Sequence, residues 1–249
     1  MIEVKNLYKS YEGEYVLNDV SARFENGKCN LIIGRSGSGK TVLLKSIAGL
    51  IEVDKGEIWY DEKKFSHLDI RSRQVIRQEM GVLFQGAALF DSLTVEENVL
   101  FPLDMFTRQT RKEKLDRANF CLERVRVSGT NGLYPAELSG GMKKRVAIAR
   151  AITLNPRYLL CDEPNSGLDP ETGIVIDNLI KEITEEFQMT TIVNSHDMNS
   201  VLEIGDKVIF IYKGCLCWEG TRKEVLQTDN EALNNFVFAT NMAKQIRKT

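Results

Sequence analysis

One run of eight residues has the composition and spacing of a phosphate-binding loop. Two glycines separated by four residues are followed by Lys and Thr, and the run reads Gly34, Arg35, Ser36, Gly37, Ser38, Gly39, Lys40, Thr41. Glycine allows the backbone N–H groups of such a loop to turn inward around phosphates. In this pattern the Lys reaches the β and γ phosphates and the Thr hydroxyl is available to Mg²⁺. The run predicts a site for a nucleoside triphosphate, ATP or a relative, with Mg²⁺.

The elements on either side of this loop agree with that prediction. Residues 29–33 form a short apolar run typical of a buried strand, and residues 41–50 have the pattern of a helix. The positive N-terminal end of that helix would point at the bound anion. A glycine-rich turn that matches by accident is the alternative, and the motifs further along the chain argue against it.

Two adjacent carboxylates, Asp162 and Glu163, follow a second short apolar run at residues 158–161. Neighbouring carboxylates repel each other, so they need a cation or exposure to water. Beside a phosphate loop, Asp162 is suited to order the Mg²⁺ shell and Glu163 to polarise the attacking water. Residues 166–169 then form a turn into a helix that begins near Pro170.

Gln85 and His196 each follow a predicted strand, at residues 80–84 and 190–194. Side chains at the carboxyl edge of a parallel sheet face ligands. His196 could hydrogen-bond a γ phosphate, or it could be an ordinary packed histidine. The residues alone leave both interpretations open.

Two further features have a functional and a structural interpretation. Ser139, Gly140 and Gly141 begin a helix predicted to run to about residue 154, which is either a second anion site or an ordinary capped helix. The basic residues of that helix are predicted to share its polar side: Lys143, Lys144, Arg145 and Arg150. Tyr11, at a hairpin turn between residues 2–7 and 16–24, could stack on adenine or simply pack.

Composition excludes several classes of protein. The 249 residues are 43% hydrophobic, which suffices for a large core, and 33 basic residues balance 35 acidic ones. That balance indicates neither a nucleic-acid binder nor a binder of anionic membranes. Five scattered cysteines form no disulfide framework, and Cys215 and Cys217 are closer than usual zinc ligands. With no apolar run of about 18 residues and no secretory leader, we expect a cytoplasmic chain.

Taken in order, the motifs resemble those of ABC-type ATPases over nearly the full chain. The segments that carry the resemblance are residues 34–41, Gln85, residues 138–142, 158–163, 166–169 and His196. The resemblance implies an α/β fold: a P-loop NTPase core with an antiparallel β subdomain and an inserted α-helical subdomain. We expect one domain over residues 1–249, with the insertion at about 86–155 and a helical tail at about 222–249.

The resemblance also implies roles for residues. Lys40, Gln85, Glu163 and His196 would act in ATP hydrolysis; Thr41, Gln85 and Asp162 would hold Mg²⁺. The rest of the nucleotide set is Tyr11, residues 34–41, Ser139, Gly140, Gly141 and Asp169. Two copies would sandwich ATP head to tail, each helix tip at residues 139–141 reaching the partner's nucleotide. The chain departs from the usual pattern at Met142, Asn165, Asn194 and Ser195.

A narrower resemblance, to the ATPases of Mla-type phospholipid transporters, is carried by residues 84–95 and 138–145. It implies a permease that docks near residues 85–95, where Leu89 and Phe90 are apolar, and an MCE-domain partner. The chain would then lie on the cytoplasmic face of the bacterial inner membrane. Two alternatives remain: an ABC ATPase for a small solute, and a non-transport ABC protein acting on ribosomes or DNA. Near-neutral charge and the absence of a long heptad run disfavour the latter.

Overall fold

Ten strands form two sheets in residues 1–238, the part of the chain that the computed structural model describes. The antiparallel sheet contains β1 (Ile2–Tyr11), β2 (Glu14–Phe24), β4 (Lys55–Tyr60) and β5 (Lys63–Lys64), in the order β2-β1-β4-β5. The predicted hairpin of β1 and β2 is confirmed, and Glu12 and Gly13 at its turn both have positive φ, as tight hairpins require.

The second sheet contains β3 (Cys29–Ile33), β6 (Met80–Leu83), β7 (Tyr158–Asp162), β8 (Thr190–Ser195), β9 (Lys207–Tyr212) and β10 (Cys215–Gly220). Its order is β10-β9-β3-β8-β7-β6, and every neighbouring pair is parallel except β9 with β10. Every residue of β3, β7 and β8 is buried, because both faces of these strands are covered.

Helices cover both sheets. They are α1 (Lys40–Ile47), α2 (Ile70–Gln78), α3 (Val95–Phe106), α4 (Arg111–Arg124), α5 (Gly140–Ile152), α6 (Pro170–Phe187), α7 (Met198–Ile204), α8 (Arg222–Val225) and α9 (Glu231–Val237). Within the predicted helical insertion, residues 94–124 form two separate helices, because Thr94 with Glu97 and Thr110 with Glu113 form separate capping boxes. Helices α3, α4 and α5 lie between β6 and β7 in chain order and pack on one another.

Two apolar layers lie on opposite faces of the parallel sheet. Leu31 and Ile33 belong to the layer shared with α3 to α6, whereas Ile32 belongs to the layer shared with α1 and the antiparallel sheet. The alternation follows from the two-residue period of a strand. The phosphate loop that follows β3 is therefore anchored by a strand that is held on both faces.

The predicted helical tail begins with two short helices. Residues 222–238 contain α8 and α9, and Phe236 packs against Phe210 with ring centroids 5.6 Å apart. The predicted continuation at residues 239–249 lies outside the described residues. Over residues 1–238, no helix combines the length and apolar character that a membrane span needs.

Candidate active site

The carboxyl edge of the parallel sheet brings four of the predicted groups together. Strand register pairs Ile33 with Ser195, Asp162 with Asn194, and Leu83 with Cys161. The segments that follow these strands therefore leave the sheet side by side. They are the phosphate loop, Gln85, Glu163 and His196, as expected for a site at this edge of an α/β sheet.

The phosphate loop has no room for side chains at two of its glycines. A Cβ at Gly34 would lie 2.3 Å from the carbonyl oxygen of Ile211, and one at Gly39 would lie 2.6 Å from that of Val16. Gly37 has φ of 77° and faces open space. Hairpin β9–β10 and strand β2 therefore clamp the loop from outside, which fixes the curvature that turns its N–H groups inward.

Lys40 and Ser38 are the buried polar groups of the loop. Lys40, only 5% exposed, donates from Nζ to the carbonyls of Gly34 (2.9 Å) and Arg35 (3.1 Å). Burial lowers the pKa of Lys40, and the charges of Glu163 and Asp162 oppose that shift. The buried Ser38 hydroxyl has no hydrogen-bond partner among the described residues. A buried cation and an unpaired hydroxyl, beside the free N–H groups of the α1 N-terminus, fit a phosphate chain.

Thr41 and Asp162 form an oxygen pair next to the loop. Thr41 Oγ1 donates to Asp162 Oδ1 at 3.1 Å, and Asn194 Nδ2 donates to the same oxygen at 3.0 Å. No cluster of three or more His, Cys, Asp or Glu residues forms a metal cage in residues 1–238. A hydroxyl and one carboxylate nevertheless fit Mg²⁺, which in phosphate sites takes few protein ligands.

Glu163 lies between Gln85 and His196. His196 Nδ1 is 3.1 Å from Glu163 Oε1, and Gln85 Nε2 donates to Ser166 Oγ at 3.0 Å and more weakly to Glu163 Oε2 at 3.4 Å. Gln85 thus contacts Glu163 in this structure rather than Thr41 or Asp162. A carboxylate held at both oxygens can orient a water molecule and accept its proton.

The predicted second anion site lies at the start of α5. Ser139 caps this helix by accepting a hydrogen bond from the backbone N–H of Met142 at 3.3 Å. The N–H groups of Gly140 and Gly141 have no partner within the helix. Over residues 1–238, no hydrogen bond connects Ser139, Gly140 or Gly141 to the phosphate loop of the same chain.

Tyr11 and Asp169 lie at the edges of the site. The Tyr11 ring is 47% exposed, with Lys9 Nζ 5.3 Å from its centroid. Asp169 caps α6 by accepting from the N–H of Thr172 at 2.9 Å and from its hydroxyl at 2.6 Å, which lowers the pKa of Asp169. Within one chain Asp169 therefore has a capping role.

The structure corrects the prediction for the basic residues of α5. Lys144 is buried and donates to the backbone carbonyl of Gln85, and burial lowers its pKa. Arg150 donates to the carbonyls of Ala87 (3.0 Å) and Ala88 (2.8 Å), which both have positive φ. The four-residue spacing of Lys144 from buried Ile148 is the signal that could have placed it inside.

A cavity of about 840 Å³ opens beside Glu163 and His196. Arg35, Ser166 and Phe236 contribute to its lining. The phosphate loop, the Glu163 carboxylate and the segment before α7 thus share one open face of the molecule.

Comparison with known proteins places these features in a family. The family described as ABC transporter matches residues 17–166. The chain is 38% identical over 237 residues to the intermembrane phospholipid transport ATP-binding protein MlaF of Haemophilus influenzae, covering 95% of this chain and 90% of that relative. It is 37% identical over 253 residues to the methionine import ATP-binding protein MetN of Campylobacter jejuni, covering 95% and 75%.

A solved structure of an ATP-binding cassette has a similar fold. It is a dimeric post-hydrolysis state of the ATP-binding cassette MJ0796 bound to ADP and Pi. Its TM-score is 0.82 at 34% identity, over 89% of this chain and 99% of that one.

Proposed function

The chain belongs to the ABC transporter family as a subunit that binds ATP with Mg²⁺ and hydrolyses ATP, and on that premise we propose that it drives phospholipid movement through a membrane permease. The observation that carries the phospholipid assignment is the similarity to the Haemophilus influenzae MlaF along 95% of the chain. We place the subunit on the cytoplasmic face of the membrane, with an MCE-domain protein in the same complex.

We assign the roles in hydrolysis as follows, and the geometry of the described residues supports them. The loop N–H groups, the Ser38 hydroxyl and the Lys40 ammonium hold the β and γ phosphates, and Lys40 exchanges its bonds to Gly34 and Arg35 for phosphate oxygens. Thr41 and Asp162 would hold Mg²⁺, which when bound screens phosphate charge. Glu163 orients the attacking water and accepts its proton.

Two copies of the chain form the complete site in this proposal. The α5 tip at Ser139, Gly140 and Gly141 offers free N–H groups and has no hydrogen bond to its own phosphate loop over the described residues. A helix N-terminus stabilises an anion that approaches it. A dimeric structure of a cassette of similar fold, bound to ADP and Pi, supports the pairing of two copies. In the arrangement that we propose, the copies pair head to tail and each tip faces the γ phosphate on the other copy.

The permease is proposed to dock in an apolar groove of about 330 Å³. The groove is lined mainly by aromatic and aliphatic side chains between β6, α3 and α5, including Phe84, Phe90, Phe101, Phe106 and Leu154. Phe90 and Phe101 contact each other with centroids 4.7 Å apart. Arg77 and Arg150 also line the groove, where they donate to the backbone carbonyls of Gly49 and of Ala87 and Ala88.

A second candidate function is import of a small solute. The 37% identity to the Campylobacter jejuni MetN supports this candidate. Both candidates use the same ATP chemistry, because the ATPase subunit is separated from the transported molecule by the permease.

The test is purification of the tagged chain from detergent-solubilised membranes of its host. We expect a permease and an MCE-domain protein to co-purify, and the reconstituted complex to move labelled phospholipid between vesicles only with hydrolysable ATP. Recovery of a permease with a soluble amino-acid-binding protein, together with methionine uptake, would replace phospholipid by a small solute. Recovery of the chain on ribosomes would overturn the transport assignment.

A further inference from the structure

Asn165 connects the turn after Glu163 to two helices that carry no predicted site residue. Its side-chain nitrogen Nδ2 donates to Asp177 Oδ2 on α6 at 2.7 Å and to Ser200 Oγ on α7 at 3.1 Å. Asp177 is 2% exposed and Ser200 is also buried. One amide therefore fixes the position of the turn relative to both helices.

Asn165 lies beside the first turns of α6. Gly173 lies one turn before Asp177 on the same face of α6. A Cβ at Gly173 would be 3.6 Å from Asn165 Cγ, an ordinary van der Waals distance, so the gap between the amide and the helix leaves room for a methyl group. The position of Asn165 therefore depends on its hydrogen bonds to Asp177 and Ser200.

Two acceptor atoms of the Asn165 and Asp177 side chains receive no hydrogen bond over the described residues. Asn165 Oδ1 and Asp177 Oδ1 are both buried and have no hydrogen-bond partner within residues 1–238. A buried polar atom without a partner costs free energy, so such a pair is unusual unless it serves a purpose. A proton on Asp177 would give the pair the donor that it lacks.

The surroundings of Asp177 favour that proton. The pKa of Asp177 is raised to about 6, chiefly by burial and also by the carboxylates of Asp197 and Glu203, and the hydrogen bonds from Ser200 and Asn165 oppose this shift. From β7, the thiol of Cys161 also interacts with this carboxyl. The groups facing Asp177 are acids and neutral donors.

The turn that Asn165 anchors contains the groups proposed to act on water. The N–H of Ser166 donates to the carbonyl of Glu163 at 3.1 Å, and the N–H of Leu168 donates to that of Asn165 at 3.1 Å. Ser166 Oγ accepts the amide of Gln85. Since Ser200 belongs to the helix that begins two residues after His196, Asn165 also connects the turn to the segment that carries His196.

We propose that Asp177 is a positioning residue for ATP hydrolysis, which acts through Asn165 to hold the turn at residues 163–168 and with it the Glu163 carboxylate. Asp177 touches no reacting group itself. The inference rests on the role proposed above for Glu163.

The experiment measures steady-state ATP hydrolysis by the full chain with single and exchanged variants. We expect Asp177→Ala to lower kcat about tenfold with KM for ATP unchanged, because small displacements of a catalytic group are costly while the phosphate loop is untouched. Asn165→Asp should lower kcat as well, since it buries two carboxyl groups side by side. The exchange N165D/D177N restores one acid and one amide, and we expect it to recover kcat to within about threefold of the unmodified chain.

Asn178→Ala is the matched control, because Asn178 is the exposed neighbour of Asp177 on α6. Unchanged kcat in Asp177→Ala, or failure of the folded exchange variant to recover kcat, would overturn the proposal. If Asp177→Ala does not fold, the comparison of Asn165→Asp with the exchange variant decides. Normal turnover in Glu163→Gln would show that Glu163 does not have its proposed role. Recovery of kcat in N165D/D177N would still show that Asn165 and Asp177 control the turn.

Discussion

His196 Nδ1 lies 3.1 Å from Oε1 of Glu163. The two residues follow adjacent parallel strands whose register pairs Asp162 with Asn194, so the contact is set by the sheet. Gln85 Nε2 approaches the other oxygen of the same carboxylate at 3.4 Å. Glu163 itself has φ of 47°, an uncommon backbone conformation for a residue with a side chain. The position of this carboxylate is therefore determined by three separate segments of the chain.

Replacement of that carboxylate tests its proposed chemistry. Glu163→Gln keeps the shape of the side chain but cannot accept a proton. We expect kcat for ATP to fall by about 10² to 10⁴, the usual contribution of a general base, while ATP binding is retained. Nucleotide binding by fluorescence and phosphate release by a coupled assay measure the two effects separately. Turnover at the normal rate would exclude Glu163 as the base.

Lys40→Ala tests the phosphate loop. The variant removes a buried ammonium with two carbonyl partners, and a hydrogen bond from a charged group is worth about 1.5 to 3 kcal/mol, so the Kd for ATP should rise about 10- to 100-fold. Lys45→Ala, five residues further along the same helix, is the control and should bind ATP normally. Equal affinities in both variants would contradict the assignment.

Phe90→Asp tests the proposed permease groove. Phe90 is 42% exposed and lines the groove, whereas Leu89 packs against the core. Of these two residues, therefore, only Phe90 can be changed without disturbing the fold. We expect the variant to bind ATP normally but to be lost from the complex during purification from membranes. Ile70→Asp, at an 81% exposed position of α2 outside the groove lining, should remain in the complex. Recovery of the complete complex with Phe90→Asp would show that the permease docks elsewhere on the subunit.

The buried acid gives a prediction on pH and stability. Since the pKa of Asp177 is about 6 in the folded chain against an ordinary value of 3.8, the folded state binds the proton more tightly than the unfolded state. Stability from this group is therefore present below about pH 4 and declines as pH rises to about 6. The Asp177→Asn variant has no carboxyl group at this position, so its stability does not decline in this way. Between pH 4 and pH 7, the free energy of unfolding of the variant should therefore rise relative to that of the unmodified chain by on the order of 1 to 3 kcal/mol.

Urea denaturation at several pH values measures this difference. A gap between the two chains that does not change with pH would show that Asp177 has an ordinary pKa. Because the comparison is between two variants of one protein, the titration of the other carboxyl groups cancels.

The local parts of this site are predictable from the sequence alone. The phosphate loop needs glycine where a Cβ would collide with Ile211 and Val16, and the strand before it and the helix after it are strongly patterned segments. The same holds for β7 and the carboxylates at its end. These features depend on a few consecutive residues, so composition and spacing suffice to predict them.

The contacts between residues that are distant in sequence become known only from the folded chain. The contact of Thr41 with Asp162 joins positions 121 residues apart, and it depends on strand order. The sequence predicts Lys144 on the polar side of its helix. In the structure Lys144 is instead buried and donates to the backbone carbonyl of Gln85, because α5 packs against β6 and the segment after it. The sequence marks Asn165 only as a departure from the family pattern and gives no indication of its pairing with Asp177, since a buried amide and acid are recognisable only once helix packing removes water from both. Side-chain pairing of this kind is set by long-range packing, and no local pattern encodes it.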